Sequence, residues 1–538
     1  SFVKNSLSFV IKSTLRNLRE DTSKYTMDNK SKMLAAGAAF LLSAGVAVGA
    51  YFYTKKGNQQ AAGSQEERKA AEPTKAAAEE TKAEDDAPVP VPAVEIDPNW
   101  EGFTDPFYKT NKYLSKIEAA SRSELISDVN YTLALGLLKG GESFTGKVTI
   151  EFSLRQKGTE YVADGDNSKC VFLDFKGKLM SSIVVNGQKL GQDAVDLWQN
   201  HRIYIPTANQ VVGKNKCVIE FETFYVTDCQ GFQHFKDESD GTEYVYTELE
   251  PDYCHIVFPC FDQPDLKATY KTCIVASEDW EVITNSERLS SSTACKSGEV
   301  NQELKSAFKR FDVPVDSPIL TSFGNTSVKA HEFQRTAKIS TYLFCIVAGP
   351  FDCLEPSAER QQELPGIPMR VYCRKSLTKY AEKMKDDWFR ITKASIRFYE
   401  EMFDTPYPFD KIDSIFCPDY AMGAMENVGC ITYNDEYIER DENFTRYKRE
   451  NIFNTIAHEI SHQWFGNLVT MKWWDDLWLN ESFANTVSYM AMDEAQGMED
   501  VTLAWNIFID EQFSGLSEDQ KNTSHPIAGE VIHTGTAQ

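Results

Sequence analysis

The segment His458-Glu459-Ile460-Ser461-His462 combines residue types and a spacing that can do chemistry. On a helix, side chains four residues apart share a face, so both imidazoles can bind one metal ion. Glu459 points off that line and can reach a water held by the metal, the place of a general base. Glu481, with eighteen residues between it and His462, can supply a third ligand from a second helix packed on the first. Three protein ligands leave the fourth position of tetrahedral zinc open, as hydrolysis needs and a purely structural site does not. Two satisfied histidines on a helix face are the bland alternative, and it leaves Glu481 within Leu479-Asn480-Glu481-Ser482-Phe483-Ala484 without a role.

A second constellation lies about thirty residues upstream, in Gly423-Ala424-Met425-Glu426-Asn427. A carboxylate among small and apolar residues is costly unless it meets a cation. The free α-ammonium group of a peptide would be such a cation. Taken alone, a Glu in a Gly-containing loop is more often a surface or turn residue; beside a zinc pattern the functional reading gains.

The two constellations together resemble the aminopeptidase N family of zinc exopeptidases, membrane alanyl aminopeptidase-like gluzincins. Phe258-Pro259-Cys260-Phe261-Asp262-Gln263-Pro264-Asp265, His462-Gln463-Trp464-Phe465-Gly466-Asn467-Leu468 and Trp473-Trp474-Asp475-Asp476-Leu477-Trp478 carry the same resemblance, which runs from about Ala120 to the last residue. It implies zinc ligands His458, His462 and Glu481, with Glu459 as base. It also implies recognition of the α-amine by Glu426 and by Glu250, within Tyr246-Thr247-Glu248-Leu249-Glu250, and places Met422 at the pocket for the first side chain. Gly423, Ala424, Met425, Asn427 and Glu248 complete the implied substrate-binding set. The implied fold is a saddle-like all-β N-terminal domain followed by a thermolysin-like α-rich (α+β) zinc domain. The expected activity is removal of N-terminal residues from peptides.

Three positions depart from the pattern. Glu248 stands where relatives usually have Gln, which would add negative charge to the amine site. Val428 replaces an aromatic residue and would loosen its loop, and Ser482 replaces a common Gly. Relatives also use a Tyr well beyond the zinc glutamate to stabilise the oxyanion, at a position just past Gln538; no Tyr follows Tyr489 here. Tyr489 lies about two helical turns after Glu481 and so belongs to the same helix. The chain therefore reads as an incomplete form of an active enzyme, nearly inactive by itself. Two other readings remain open: a zinc endopeptidase, which leaves Glu426 and Glu250 idle, and a membrane-tethered protein that binds peptide N-termini on the same scaffold.

The elements that must position these residues follow from pattern and composition. With 538 residues, 42% apolar and 12% aromatic, the chain can fill two or three domains. A net charge of −24 argues against nucleic acid and against anionic membrane surfaces as partners. The twelve Cys have no C-x-x-C pair and read as scattered small apolar residues, with a few bridges still open. After a tail at 1–32, residues 33–54 carry no charge and are long enough to cross a bilayer as one anchor, with a cleaved signal peptide as the rival reading. The side on which the catalytic domain would lie is undecided, and a homodimer stays open. Residues 55–110 are Ala/Glu/Lys/Pro-rich and read as a tether. The β domain is expected over 111–355: Val148, Ile150, Phe152 and Leu154 alternate, Asn186-Gly187 marks a hairpin, and Cys217 to Tyr225 alternates again. The catalytic domain is expected over 366–538, opening with a small sheet near Ile367. Its long helices are expected from Tyr380 to Phe403 and from Arg449 to Phe465.

Overall fold

The computed structural model describes residues 113–537 except for 163–165, 192–196, 297–298, 358–365, 441–444 and 525. The tail, anchor and tether readings lie outside the described residues. Among the described residues no helix is long and apolar enough to cross a membrane.

Long alternating strands build the first half. Ile126–Leu137, Ser143–Leu154 and Gly213–Phe224 run side by side in a nine-stranded sheet, with Thr269–Ser277 parallel to the first of them. Val148, Ile150, Phe152 and Leu154 are buried while Thr149, Glu151 and Ser153 are not, the period-two pattern of a sheet with one covered face. Asn186 and Gly187 both have positive φ, 50° and 80°, and pair Val185 with Gln188 as a tight hairpin requires. A four-stranded sheet contains strand β1 (Glu243–Glu248), held between Gly231–Lys236 and Ile346–Gly349. β1 is buried along its whole length and delivers Glu248, and then Glu250, to the far end of the sheet.

Short helices interrupt this otherwise β region. Lys116–Leu125 starts on a capping box: the Ser115 hydroxyl accepts from the Glu118 N–H and the Glu118 carboxylate accepts from the Ser115 N–H. Gln302–Arg310 is capped by Asn301 and buries Leu304, Ala307 and Phe308 in a satellite core. Alternation alone did not reveal them, because they cover the sheet's flank and do not extend it.

The second half is a five-stranded sheet overlaid by helices. Its strands are β2 (Phe351–Leu354), β3 (Met369–Arg374), β4 (Ile412–Cys417), β5 (Ala424–Met425) and β6 (Cys430–Asn434), in the order β2-β3-β4-β6-β5. Helix α1 (Thr378–Phe403) begins two residues before the expected start and ends where expected. Helix α2 (Arg446–His462) starts earlier than expected, on a Thr445 cap, and stops at His462 and not at Phe465. The chain must turn there: Gly466 has φ 105°, and a Cβ on it would lie 2.2 Å from Asn480 Oδ1. Helix α3 (Leu477–Glu494) packs on α2, and α4 (Ala504–Asp519) follows. Glu450 of α2, fully buried, accepts the N–H groups of Thr502 (2.9 Å) and Leu503 and so caps the start of α4.

One continuous core joins the β region to the sheet beneath the site: Tyr246, Phe344 and Cys345 pack in the same cluster as Cys417, Tyr420, Met425, Val428 and Cys430. All twelve cysteines are free thiols, and all but Cys295 and Cys353 are buried.

Candidate active site

α2 and α3 bring the three candidate ligands together. His458 and His462, one turn apart, face each other with 2.9 Å between their Nε2 atoms. Glu481 Oε2 from α3 lies 3.5 Å from His458 Nε2 and 3.7 Å from His462 Nε2. These separations bracket the about 3.3 Å expected between donors at zinc bond lengths on tetrahedral corners. The Nδ1–H of His462 donates to Asn480 Oδ1 and to the Phe465 carbonyl, each at 3.1 Å. That leaves the lone pair on Nε2, facing the shared point.

The surrounding carboxylates favour positive charge there. Burial alone would push the His462 imidazole down, but the carboxylates of Glu426, Glu481 and Glu459 hold it up at about 9. Burial likewise raises the Glu481 carboxyl, and the two imidazoles overcome this and hold it at about 2. A divalent ion with neutral imidazole ligands answers the same field. Glu459 is buried and its Oε2 makes no hydrogen bond, an orphaned polar atom beside the ligand cluster. Burial pushes the Glu459 carboxyl well up, as suits a group that takes and returns a proton. Two imidazoles, a carboxylate and an unpartnered buried oxygen fit a catalytic zinc ion with water beside it.

The Gly423–Asn427 loop forms the adjoining wall. Ala424 and Met425 make the edge strand β5, paired to Tyr433 and Thr432 of β6. Glu426 is buried, and its backbone carbonyl accepts from Gln463 Nε2 (3.1 Å) and Asn467 Nδ2 (2.8 Å). Its carboxylate accepts from Asn480 Nδ2 at 3.2 Å and lies 4.0 Å from His462 Nδ1. Asn427 is buried and bonded to Thr432 Oγ1. Val428 does not loosen this loop: its side chain is buried, and its carbonyl accepts from Asn285 Nδ2 at 3.0 Å. Gly429 (φ 63°) turns tightly against the Asn285 and Lys411 carbonyls, where a Cβ would clash. Gly423 and Met422 are exposed at the mouth of the loop.

Glu250 comes from the β region and is half-buried. Burial first, then the carboxylates of Glu426, Glu481, Glu248 and Glu459, push its carboxyl well up. Glu248 is 1% exposed, with both oxygens taken by protein donors: the Tyr420 hydroxyl at Oε2 and the Glu250 N–H at Oε1 (3.4 Å). Burial lifts its carboxyl to about 7 against the pull of the Tyr420 bond. Tyr489 is buried on α3, the helix that carries Glu481.

Asn480, Gln463, Asn467, Asn285 and Tyr420 are supporting residues that the sequence reading gave no role. Asn480-Glu481-Ser482 reads formally as a glycosylation sequon, yet its buried side chain is committed to the site. Asn480, Gln463 and Asn467 lie inside the motifs and Tyr420 two residues before Met422, whereas Asn285 stands about twenty residues from any of them and left no signal.

A model of the peptidase M1 N-terminal domain matches residues 127–309, and a model of the peptidase family M1 domain matches residues 388–537, which hold α2, α3 and all three candidate ligands. The chain belongs to the peptidase M1 family. Among curated relatives, aminopeptidase N of Streptomyces lividans is 30% identical over 421 residues, 78% of this chain and 43% of that protein. Aminopeptidase M1 of Arabidopsis thaliana is 33% identical over 307 residues, 56% of this chain and 30% of that protein. Probable M1 family aminopeptidase 2 of Encephalitozoon cuniculi is 29% identical over 432 residues, 77% of this chain and 43% of that protein. The chain thus spans less than half the length of these relatives. M1 membership implies zinc, and the His458, His462 and Glu481 group is the candidate site for it.

Proposed function

We propose that the protein is a zinc-dependent aminopeptidase that removes N-terminal residues from peptides bearing a free α-amine. One observation carries the reading: a three-residue candidate ligand cluster with an unpartnered buried carboxylate oxygen adjoins Glu426, and the same carboxylates act electrostatically on Glu250 from the β region. His458, His462 and Glu481 would hold the ion, which when bound supplies a Lewis acid that polarises the scissile carbonyl and acidifies water. Glu459 takes the proton of the attacking water at its free Oε2 and returns it to the leaving amine. Glu426 and Glu250 hold the α-ammonium, which stops the peptide after one residue and makes cleavage exo. Met422, half exposed and unbranched, suits an adaptable pocket for the first side chain.

The test uses full-length protein loaded with zinc. Glu459→Gln should keep one zinc per chain and lose roughly two to four decades of kcat. Wild-type-like turnover in that variant would remove Glu459 from the reaction. Glu426→Gln should raise KM for free N-termini, and equal cleavage of N-acetylated peptides by the wild type would replace the exopeptidase reading with an endopeptidase.

A further inference from the structure

Glu248 raises a question that the site does not answer: a buried carboxylate stands within two residues of Glu250, yet the protein's own donors occupy both of its oxygens. The donors form a directed chain. Asn427 Nδ2 donates to Thr432 Oγ1 at 3.2 Å, and the Thr432 and Tyr420 hydroxyls are 3.0 Å apart. Since Tyr420 donates to Glu248, its oxygen is left to accept from Thr432, so every proton points toward the Glu248 carboxylate. All four side chains are buried. The chain begins beside Glu426, on Asn427, and ends beside Glu250, whose N–H reaches the other Glu248 oxygen.

A second tie runs parallel to it. The Tyr246 hydroxyl of β1 reaches the carbonyls of Pro418 and Asp419, both at 3.0 Å, and its ring packs against that of Tyr420 at 5.5 Å between centroids. Asn434 Nδ2 of β6 then holds the Tyr420 carbonyl at 2.8 Å. The segment leading into Met422 and the Gly423–Asn427 loop is thereby fastened to β1 on one side and to β6 on the other.

We propose that Tyr420 and Glu248 are a positioning pair for the ammonium subsite: the bond between them straps β1 to the Glu426 loop and fixes the spacing of Glu250 and Glu426. Glu248 serves as an acceptor anchor and does not touch the substrate. This also gives a reason for Glu at a position where relatives usually carry Gln: the Tyr420 hydroxyl supplies the donor that a buried carboxylate needs. The inference rests on the aminopeptidase reading above.

The strap predicts a defect in binding and not in chemistry. In zinc-loaded full-length protein, Tyr420→Phe and Glu248→Leu should each raise KM for L-leucine p-nitroanilide about tenfold or more, as loss of one charge-assisted bond does, with kcat nearly unchanged and one zinc per chain retained. The double variant should be no worse than either single one, because the same strap is lost once. Glu248→Gln keeps an acceptor for Tyr420 and should stay close to the wild-type KM; it and Tyr420→Phe suffice if Glu248→Leu does not fold. An unchanged KM in Tyr420→Phe, multiplying effects in the double variant, or a fall of kcat and zinc content in place of a rise in KM would each overturn the pair. Calorimetric titration of Leu-Gly-Gly and its N-acetyl form into a Glu459→Gln background separates the two failures. Preference for the free amine with unaltered affinity in Tyr420→Phe sinks the strap alone; no preference for the free amine sinks the aminopeptidase reading and the strap with it.

Discussion

Asn480 joins the candidate metal cluster to Glu426 through one amide. Its Oδ1 takes the Nδ1–H of His462, while its Nδ2 reaches Glu426 Oε1 at 3.2 Å and Glu481 Oε1 at 3.3 Å. A metal ligand oriented by such a partner loses roughly 10–100-fold in metal affinity when the partner is removed. Asn480→Ala should therefore release zinc to a competing chelator at a concentration lower by that factor, with the fold intact by circular dichroism; unchanged zinc affinity would show that the amide orients nothing. The candidate histidine ligands were legible in the sequence because a helix fixes the phase of residues four apart; Glu481 was picked out by its own motif, since no local phase links it to them. Asn480 was not, because its role exists only where α3 crosses α2 and the Gly423–Asn427 loop meets both. Its neighbours in sequence, Leu479 and Glu481, say nothing about which way its amide points.

The same limit holds for the elements. Alternation in Ser143–Leu154 and Gly213–Phe224 and the Asn186-Gly187 turn could be read directly, because a sheet with one covered face leaves a local imprint. The end of α2 could not. Apolar Trp464 and Phe465 continue the helical pattern, but the helix stops at His462 so that the Phe465 carbonyl can fold back onto the His462 ring. Gly466 makes that reversal possible at φ 105°, with the bonded amide of Asn480 lying where a side chain would start. Gly466→Ala should cost roughly 1–3 kcal/mol from backbone strain alone and should also weaken zinc binding by displacing Asn480. Differential scanning calorimetry on the zinc-free and zinc-loaded forms checks both, the loaded form losing more; equal losses would confine the effect to the backbone.

At the scale of the whole molecule, the helix Lys116–Leu125 is clamped by charge. Glu118, which closes the capping box of Lys116–Leu125, also pairs with Arg202, whose side chain is 2% exposed. Burial would raise the Glu118 carboxyl, but the Arg202 guanidinium and the Ser115 bonds outweigh it and hold the group at about 2, below its usual 4.5. Because the folded value is the lower one, the pair stabilises the protein fully above about pH 4.5 and ceases to do so as pH falls toward 2. A shift of that size corresponds to roughly 3 kcal/mol. Urea unfolding of Glu118→Gln should show a loss of that order at pH 7 and a flatter dependence between pH 4.5 and 2; parallel pH curves for variant and wild type would mean that the pair does not carry the acid sensitivity. The core that joins the β region to β4–β6 has a further consequence of descent. His458, His462, Glu481 and Glu459 are encoded in one stretch and Glu250 in another, some two hundred residues earlier. On the reading proposed here, the power to break a peptide bond lies in the later stretch alone, while the rule for where to break it is shared with the earlier one through Glu250. Drift in the earlier stretch could turn a trimmer of chain ends into a cutter of chain interiors without altering a single metal ligand.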